Sequence, residues 1–135
     1  MENQMLRDSI TNLKQKKNFS LLMVEDEIMV SKPMKKVLEY LCNDVVVADD
    51  GVQGWELYQQ RPFSLVLTDL QMPNMNGAEL IEKIRAVDQE KIIIVITAFR
   101  EGKEYKKAQE LGANFILKKP FSVQSVIEIF NTLDI

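Results

Sequence analysis

The chain has 135 residues, 46% hydrophobic and 27% charged, and carries a net charge of −3. That is the length of one domain with an ordinary globular composition, and its mild acidity argues against a sequence-independent grip on nucleic acid or membrane. One cysteine and no histidine exclude a disulfide framework, His-based zinc sites and Ser-His or Cys-His nucleophile pairs.

Residues 1–18 are polar, with Leu6, Ile10 and Leu13 at helical spacing. They read as an N-terminal extension, helical or flexible, ahead of a single domain over 19–135. They contain no apolar core of a signal peptide, and nothing in the chain is long and apolar enough to span a bilayer. The expected setting is a reducing cytoplasm without membrane insertion.

From Ser20 onward, short β-type runs alternate with helical segments. The strands are predicted at Leu21–Val24, Val45–Ala48, Leu65–Asp69, Ile92–Thr97 and Asn114–Leu117. They are rich in Val, Ile and Leu and nearly uninterrupted, as strands covered on both faces are.

The first helix is predicted over Ile28–Cys42, with Val30, Met34, Val37, Leu38 and Leu41 on one face and Cys42 as a small core residue. The second begins near Val52 and buries Trp55 with Leu57 or Tyr58. The third follows Gly77 and turns Leu80, Ile81 and Ile84 inward. The fourth runs over Lys103–Leu111 and stops at Gly112, and the fifth starts after Ser122 as N-cap. Five βα units in succession mean an α/β domain with a parallel sheet and right-handed crossovers.

Chemistry gathers where the strands end. Glu25-Asp26 follows the first strand, Asp69 closes the third, Thr97 closes the fourth and Lys119-Pro120 follows the fifth. The rim of strand carboxyl ends is where open α/β sheets carry their sites. Asp49-Asp50-Gly51 is also an acidic pair after a strand, but it reads as turn and cap for the second helix.

The segments Leu22-Met23-Val24-Glu25-Asp26, Thr68-Asp69-Leu70-Gln71-Met72-Pro73 with Gly77, Ile96-Thr97-Ala98 and Lys119-Pro120-Phe121, in that order, resemble the response-regulator receiver domain of two-component systems. The resemblance covers roughly residues 18–133 and extends to chemotaxis-type single-domain regulators. It implies a flavodoxin-like three-layer α/β fold, with five parallel strands in the order 2-1-3-4-5 and five helices.

In that topology the first and third strands are neighbours, and carboxylates at their ends meet across roughly 5 Å. Such charges repel unless a hard cation with oxygen ligands compensates them, and Mg²⁺ leaves room for a phosphate oxygen. The resemblance implies Asp69 as phosphoacceptor and Mg²⁺ held by Glu25, Asp26, Asp69 and the backbone carbonyl of Gln71. It makes Thr97 the switch hydroxyl and Lys119, before a cis proline, the paired cation.

The implied donor is a sensor histidine kinase or histidine phosphotransfer protein, and the output is a downstream protein target met around the fourth helix, fifth strand and fifth helix. A homodimer is compatible with this, and direct nucleic-acid binding is not expected. The only catalysis implied is the domain's own phosphorylation and dephosphorylation. Gln71 and Phe99 occupy positions that tune phosphate lifetime in relatives. The chain departs from the family at Ile116, where receivers usually carry Tyr or Phe three residues before the lysine.

Two alternatives fit the same fold class. A Mg²⁺-dependent phosphatase or phosphotransferase with an aspartyl nucleophile wants a second acid where Gln71 stands, and a cap over its pocket. A phosphorylation-independent interaction module would leave Asp69 vestigial, against which the intact acid, Thr and Lys set weighs. Fifteen residues follow Pro120, room for one helix. The chain therefore reads as a stand-alone regulator or a piece of a longer one, without an output module of its own.

Overall fold

The computed structural model describes residues 17–133. Strands and helices alternate as β1 (Lys17–Val24), α1 (Ile28–Leu41), β2 (Cys42–Ala48), α2 (Gly51–Gln60), β3 (Leu65–Asp69), α3 (Gly77–Val87), β4 (Ile92–Thr97), α4 (Lys103–Glu110), β5 (Phe115–Lys118) and α5 (Val123–Thr132). The strands form one parallel sheet in the order β2-β1-β3-β4-β5. This is the flavodoxin-like order expected.

The unbroken apolar strands have a simple cause. Leu21, Met23, Leu65, Leu67, Ile94 and Ile96 face one side and pack with Leu38, Leu41, Val126 and Phe130 of α1 and α5. Leu22, Val24, Val66, Ile93 and Val95 face the other and pack with Leu80, Ile81, Ile84 and Ala108 of α3 and α4. Successive side chains of a strand point to opposite faces, so a sheet clad on both sides needs apolar residues at every position.

Several local expectations shift. β1 already includes Lys17 and Asn18, which the sequence assigns to the extension; the rest of that extension lies outside the described residues. β2 begins at Cys42, so this residue starts a strand instead of ending a helix, and its Sγ donates to the Leu38 carbonyl. β5 is displaced by one residue and runs from Phe115 to Lys118.

On α2, Trp55, Leu57 and Tyr58 are only half-buried, and Gly51 and Gly54 are the fully buried positions. A Cβ on Gly54 would lie 2.8 Å from Val24 Cγ2. The helix therefore approaches β1 through a missing side chain, not through an aromatic one.

The helix starts follow capping chemistry. Asp50 accepts from the Gln53 amide, Ser122 from the Ser125 amide, and Asn76 forms a reciprocal capping box with Glu79. At the foot of the sheet, the Arg85 guanidinium donates to the carbonyls of Leu111 (2.8 Å), Lys91 (2.7 Å) and Gly112 (2.9 Å). This ties the end of α3 to the starts of β4 and β5. Among the described residues no helix is long and apolar enough to cross a membrane.

Candidate functional site

β3 is buried along its whole length and delivers Asp69 to the opposite, upper rim, with the residue only 3% exposed. The chain then turns back under it. Gly77 N–H donates to the Leu70 carbonyl (3.0 Å), and a Cβ on Gly77 would stand 2.1 Å from the Asp69 carbonyl oxygen. Only glycine lets α3 begin this close beneath the acid. The Gln71 amide donates to Asp69 Oδ1 at 3.2 Å.

Glu25 extends β1 by one further ladder bond, its amide donating to the Ala48 carbonyl at 3.1 Å, and is 1% exposed. Its Oε1 accepts from the Glu27 amide. The carboxylates of Glu25, Asp26 and Glu27 lie within 4.8 Å of one another, the latter two exposed.

Lys119 completes the cluster from β5's end. Its amide donates to the Thr97 carbonyl at 2.7 Å, and its bond to Pro120 is cis. Its Nζ donates to Asp69 Oδ2 at 2.9 Å and to Glu25 Oε2 at 3.1 Å. One ammonium therefore spans the ends of β1 and β3.

The electrostatics follow from this crowding. Burial, and then the charge of Asp69, push the Glu25 carboxyl up to about 7, against the opposing pull of the Glu27 amide and Lys119. Burial works against the Lys119 ammonium as well. The hydrogen bond and charge of Asp69, followed by those of Glu25, outweigh it and hold Lys119 above the usual lysine value.

The family model for the response regulator receiver domain matches residues 21–131. The chain belongs to that family. This receiver domain is 35% identical over 109 residues to the transcriptional regulatory protein CrdR of Helicobacter pylori, a match covering 78% of this chain and 50% of that protein. The chain spans about half the length of the curated relatives it matches.

Among solved structures, the N-terminal domain of an uncharacterized protein from Wolinella succinogenes superposes with a TM-score of 0.77 at 31% identity, covering 82% of this chain and 89% of that one. The receiver domain of a sensor histidine kinase from Pseudomonas aeruginosa shares the fold at a TM-score of 0.76 and 24% identity, covering 84% of this chain and 95% of that one. That structure was solved with a magnesium ion coordinated in its active-site cleft.

Within this receiver domain the structure brings Glu25, Asp69 and Lys119 into direct contact, with Asp26 on the same rim. Thr97 is fully buried at the end of β4, but its hydroxyl closes on its own loop, donating to the Phe99 carbonyl (3.1 Å) and accepting from the Phe99 amide (3.2 Å). Gln71 meets Asp69 through its backbone amide, with its side chain exposed.

Phe115 packs with the core on the α1 and α5 side, and Ile116 with the core on the α3 and α4 side. The two point to opposite faces, so the aliphatic residue, not the phenylalanine, stands where receivers usually carry an aromatic. Sequence reading passed over Glu27, whose carboxylate joins the acidic cluster and whose amide holds Glu25. The Glu25-Asp26-Glu27 run was the available signal, but such runs are common at helix starts.

Proposed function

We propose that this receiver domain accepts a phosphoryl group on Asp69 from a sensor histidine kinase or a histidine phosphotransfer protein. The supporting observation is the double contact of Lys119 with Asp69 and Glu25. A buried carboxylate is held there beside a compact cation at the open end of the sheet. Because the chain has no histidine, the donor's phosphohistidine must come from the partner.

In the step proposed, an Asp69 oxygen bonds to phosphorus as the donor's P–N bond breaks. The imidazole leaves and takes a proton from solvent. A carboxylate needs no separate general base for this attack. Asp69 Oδ1 is steadied by the Gln71 amide, and the Lys119 ammonium neutralises a phosphoryl oxygen once the acyl phosphate has formed. The Thr97 hydroxyl, on leaving its bond to Phe99, donates to the same phosphate.

Glu25, Asp26, Glu27 and Asp69 offer four carboxylates against one ammonium, and all the donors are hard oxygens. That donor set fits Mg²⁺, held by Glu25, Asp26, Asp69 and the Gln71 carbonyl. When bound, the ion supplies charge neutralisation for the phosphoryl oxygens. The output proposed is a changed protein-binding face around α4, β5 and α5, driven by the added charge. Any part in transcription, as in the relatives' names, belongs to the proposal for a longer protein.

The test is incubation with Mg²⁺ and a small acyl-phosphate donor, read by intact mass. One phosphoryl group should be gained, and the gain should be lost in Asp69→Asn and on chelation. Labelling that survives Asp69→Asn overturns the assignment, and continuous hydrolysis of an added phosphate ester would point to a phosphatase instead.

A further inference from the structure

Leu70–Asn76 is the loop between Asp69 and α3, and its tip leans on a second element. The Gly77 amide closes the base on the Leu70 carbonyl at 3.0 Å, and the Met75 amide turns back to the Pro73 carbonyl at 2.8 Å. Just after the acid, the Gln71 amide donates to Asp69 Oδ1 at 3.2 Å. At the tip, Asn74 has a φ of 69°, the only positive value of a non-glycine residue among those described. That left-handed backbone is costly for most side chains and tolerated by Asn and Asp.

The Asn74 side chain is tied to the start of α2. Its Nδ2 donates to Asp50 Oδ2 at 3.1 Å, while Asp50 Oδ1 accepts from the Gln53 amide at 2.8 Å. Asp50 thus caps α2 with one oxygen and holds the loop with the other. The Gln53 amide, and after it the Asn74 amide, keep the Asp50 carboxyl below the usual aspartate value. One residue on, the Met75 carbonyl rests against Gly51, where a Cβ would stand 2.2 Å from its oxygen. Two consecutive loop residues therefore meet two consecutive residues of the α2 start.

That start is fixed to the same rim. Two residues before Asp50, the Ala48 carbonyl accepts from the Glu25 amide. The Asp50–Asn74 bond is exposed, and an exposed hydrogen bond adds little to global stability. Its effect is local. Gln71 lies between the closed base and the pinned tip, so fixing the tip limits where its amide and carbonyl can stand.

We propose that Asp50 and Asn74 are positioning residues for the phosphorylation site, setting the Gln71 backbone against Asp69 and the metal through the loop they pin. Their role rests on Asp69 as phosphoacceptor and the Gln71 carbonyl as metal ligand, as proposed above. It gives the Asp49-Asp50 pair a task beyond the helix cap.

The test uses the full chain and three variants. Asp50→Ser keeps a capping oxygen but is too short to reach Asn74. Asn74→Asp keeps the backbone conformation and sets two carboxylates face to face. Asp50→Asn combined with Asn74→Asp exchanges donor and acceptor and restores a hydrogen bond between the same positions. In the metal-free protein, Gln71 amide exchange should quicken about fivefold in each single variant and return to the wild-type rate in the exchanged pair. Urea midpoints should hardly move. Mg²⁺ affinity should fall about tenfold in both single variants. They change the charge in opposite directions, so a purely electrostatic influence would strengthen binding in Asn74→Asp and weaken it in Asp50→Ser.

Wild-type Gln71 exchange in both single variants overturns the proposal, as do metal affinities that move in opposite directions. An exchanged pair no better than Asn74→Asp alone overturns it too. Urea midpoints that fall in step with the exchange make the pair merely structural. If the wild-type protein neither binds Mg²⁺ nor gains a phosphoryl group, the reading of Asp69 fails, and Gln71 exchange still judges the pinned loop by itself.

Discussion

Lys119 Nζ lies 2.9 Å from Asp69 Oδ2, an ion pair between side chains fifty positions apart that reaches over the intervening β4. With the 3.1 Å contact to Glu25, it holds two almost fully buried carboxylates together.

Replacing that cation with an apolar side chain should separate folding from chemistry. Lys119→Met leaves Glu25 and Asp69 facing each other unpaired and is expected to destabilise the metal-free protein by about 1–3 kcal/mol. Proton uptake by Glu25 limits the loss. Mg²⁺ affinity should hold or rise, since a competing positive charge is gone, while phosphoryl labelling falls. Lys119→Arg should not restore labelling, because a planar fork does not replace a compact ammonium. Urea denaturation, metal titration calorimetry and intact mass read the three outcomes separately.

Glu25 makes the metal-free protein pH-sensitive near neutrality. Its folded pKa of about 7 lies above the ordinary value of 4.5, so the folded state binds this proton more tightly than the unfolded one. The sign is then fixed: stability falls as pH rises through that window. Between pH 6 and 8 the loss should be about 1 kcal/mol, and no histidine titrates to mask it. Urea midpoints at the two pH values measure it. Glu25→Gln should flatten the dependence.

The same proton competes with the metal. Mg²⁺ affinity is expected to be about tenfold weaker at pH 6 than at pH 8, since Glu25 must ionise to bind it. At pH 8, Mg²⁺ at ten times its Kd should raise stability by about 1.4 kcal/mol. Asp26→Asn should weaken that response, because the mutation removes an exposed carboxylate from the cluster. Thermal melts with graded Mg²⁺, with and without chelator, decide the matter.

Gly77 is a steric requirement and should behave as one. Gly77→Ala places a methyl carbon 2.1 Å from the Asp69 carbonyl oxygen, so the start of α3 must move away from the site. We expect a loss of about 2 kcal/mol or more, together with reduced labelling. Asn76→Ala, one residue earlier, removes only the capping box and should cost about 1 kcal/mol with labelling intact. Equal labelling in the two variants would contradict the placement of Gly77.

Much of the fold was legible because its cause is local and periodic. Two-sided cladding of the sheet leaves apolar residues at consecutive strand positions, and β3 and β4 were bounded correctly from that signal alone. Cys42 was misread because an apolar residue after Leu41 continues a helical pattern as readily as it begins a strand. Trp55, with Leu57 or Tyr58, reads from the sequence as the buried side of α2, whereas the surface α2 presents to β1 is the gap at Gly54. No hydrophobic pattern reports a gap.

At the site, residue types and strand ends were enough to place Glu25, Asp69 and Lys119 on one rim. The partners of Thr97 and the amide of Gln71 were not legible, since loop backbone geometry leaves little trace in side-chain chemistry. The capping box of Asn76 and Glu79 did carry a trace, an Asn three residues before a Glu at a helix start.

Arg85 sets the two ends of the sheet apart. Its guanidinium clamps the carbonyls of Leu111, Lys91 and Gly112 at the pole farthest from Asp69. The end of α3 is thus moored to the starts of β4 and β5. Losing that one side chain would take a donor from three carbonyls at once, so the foot of the sheet leans on Arg85 much as the rim leans on Lys119.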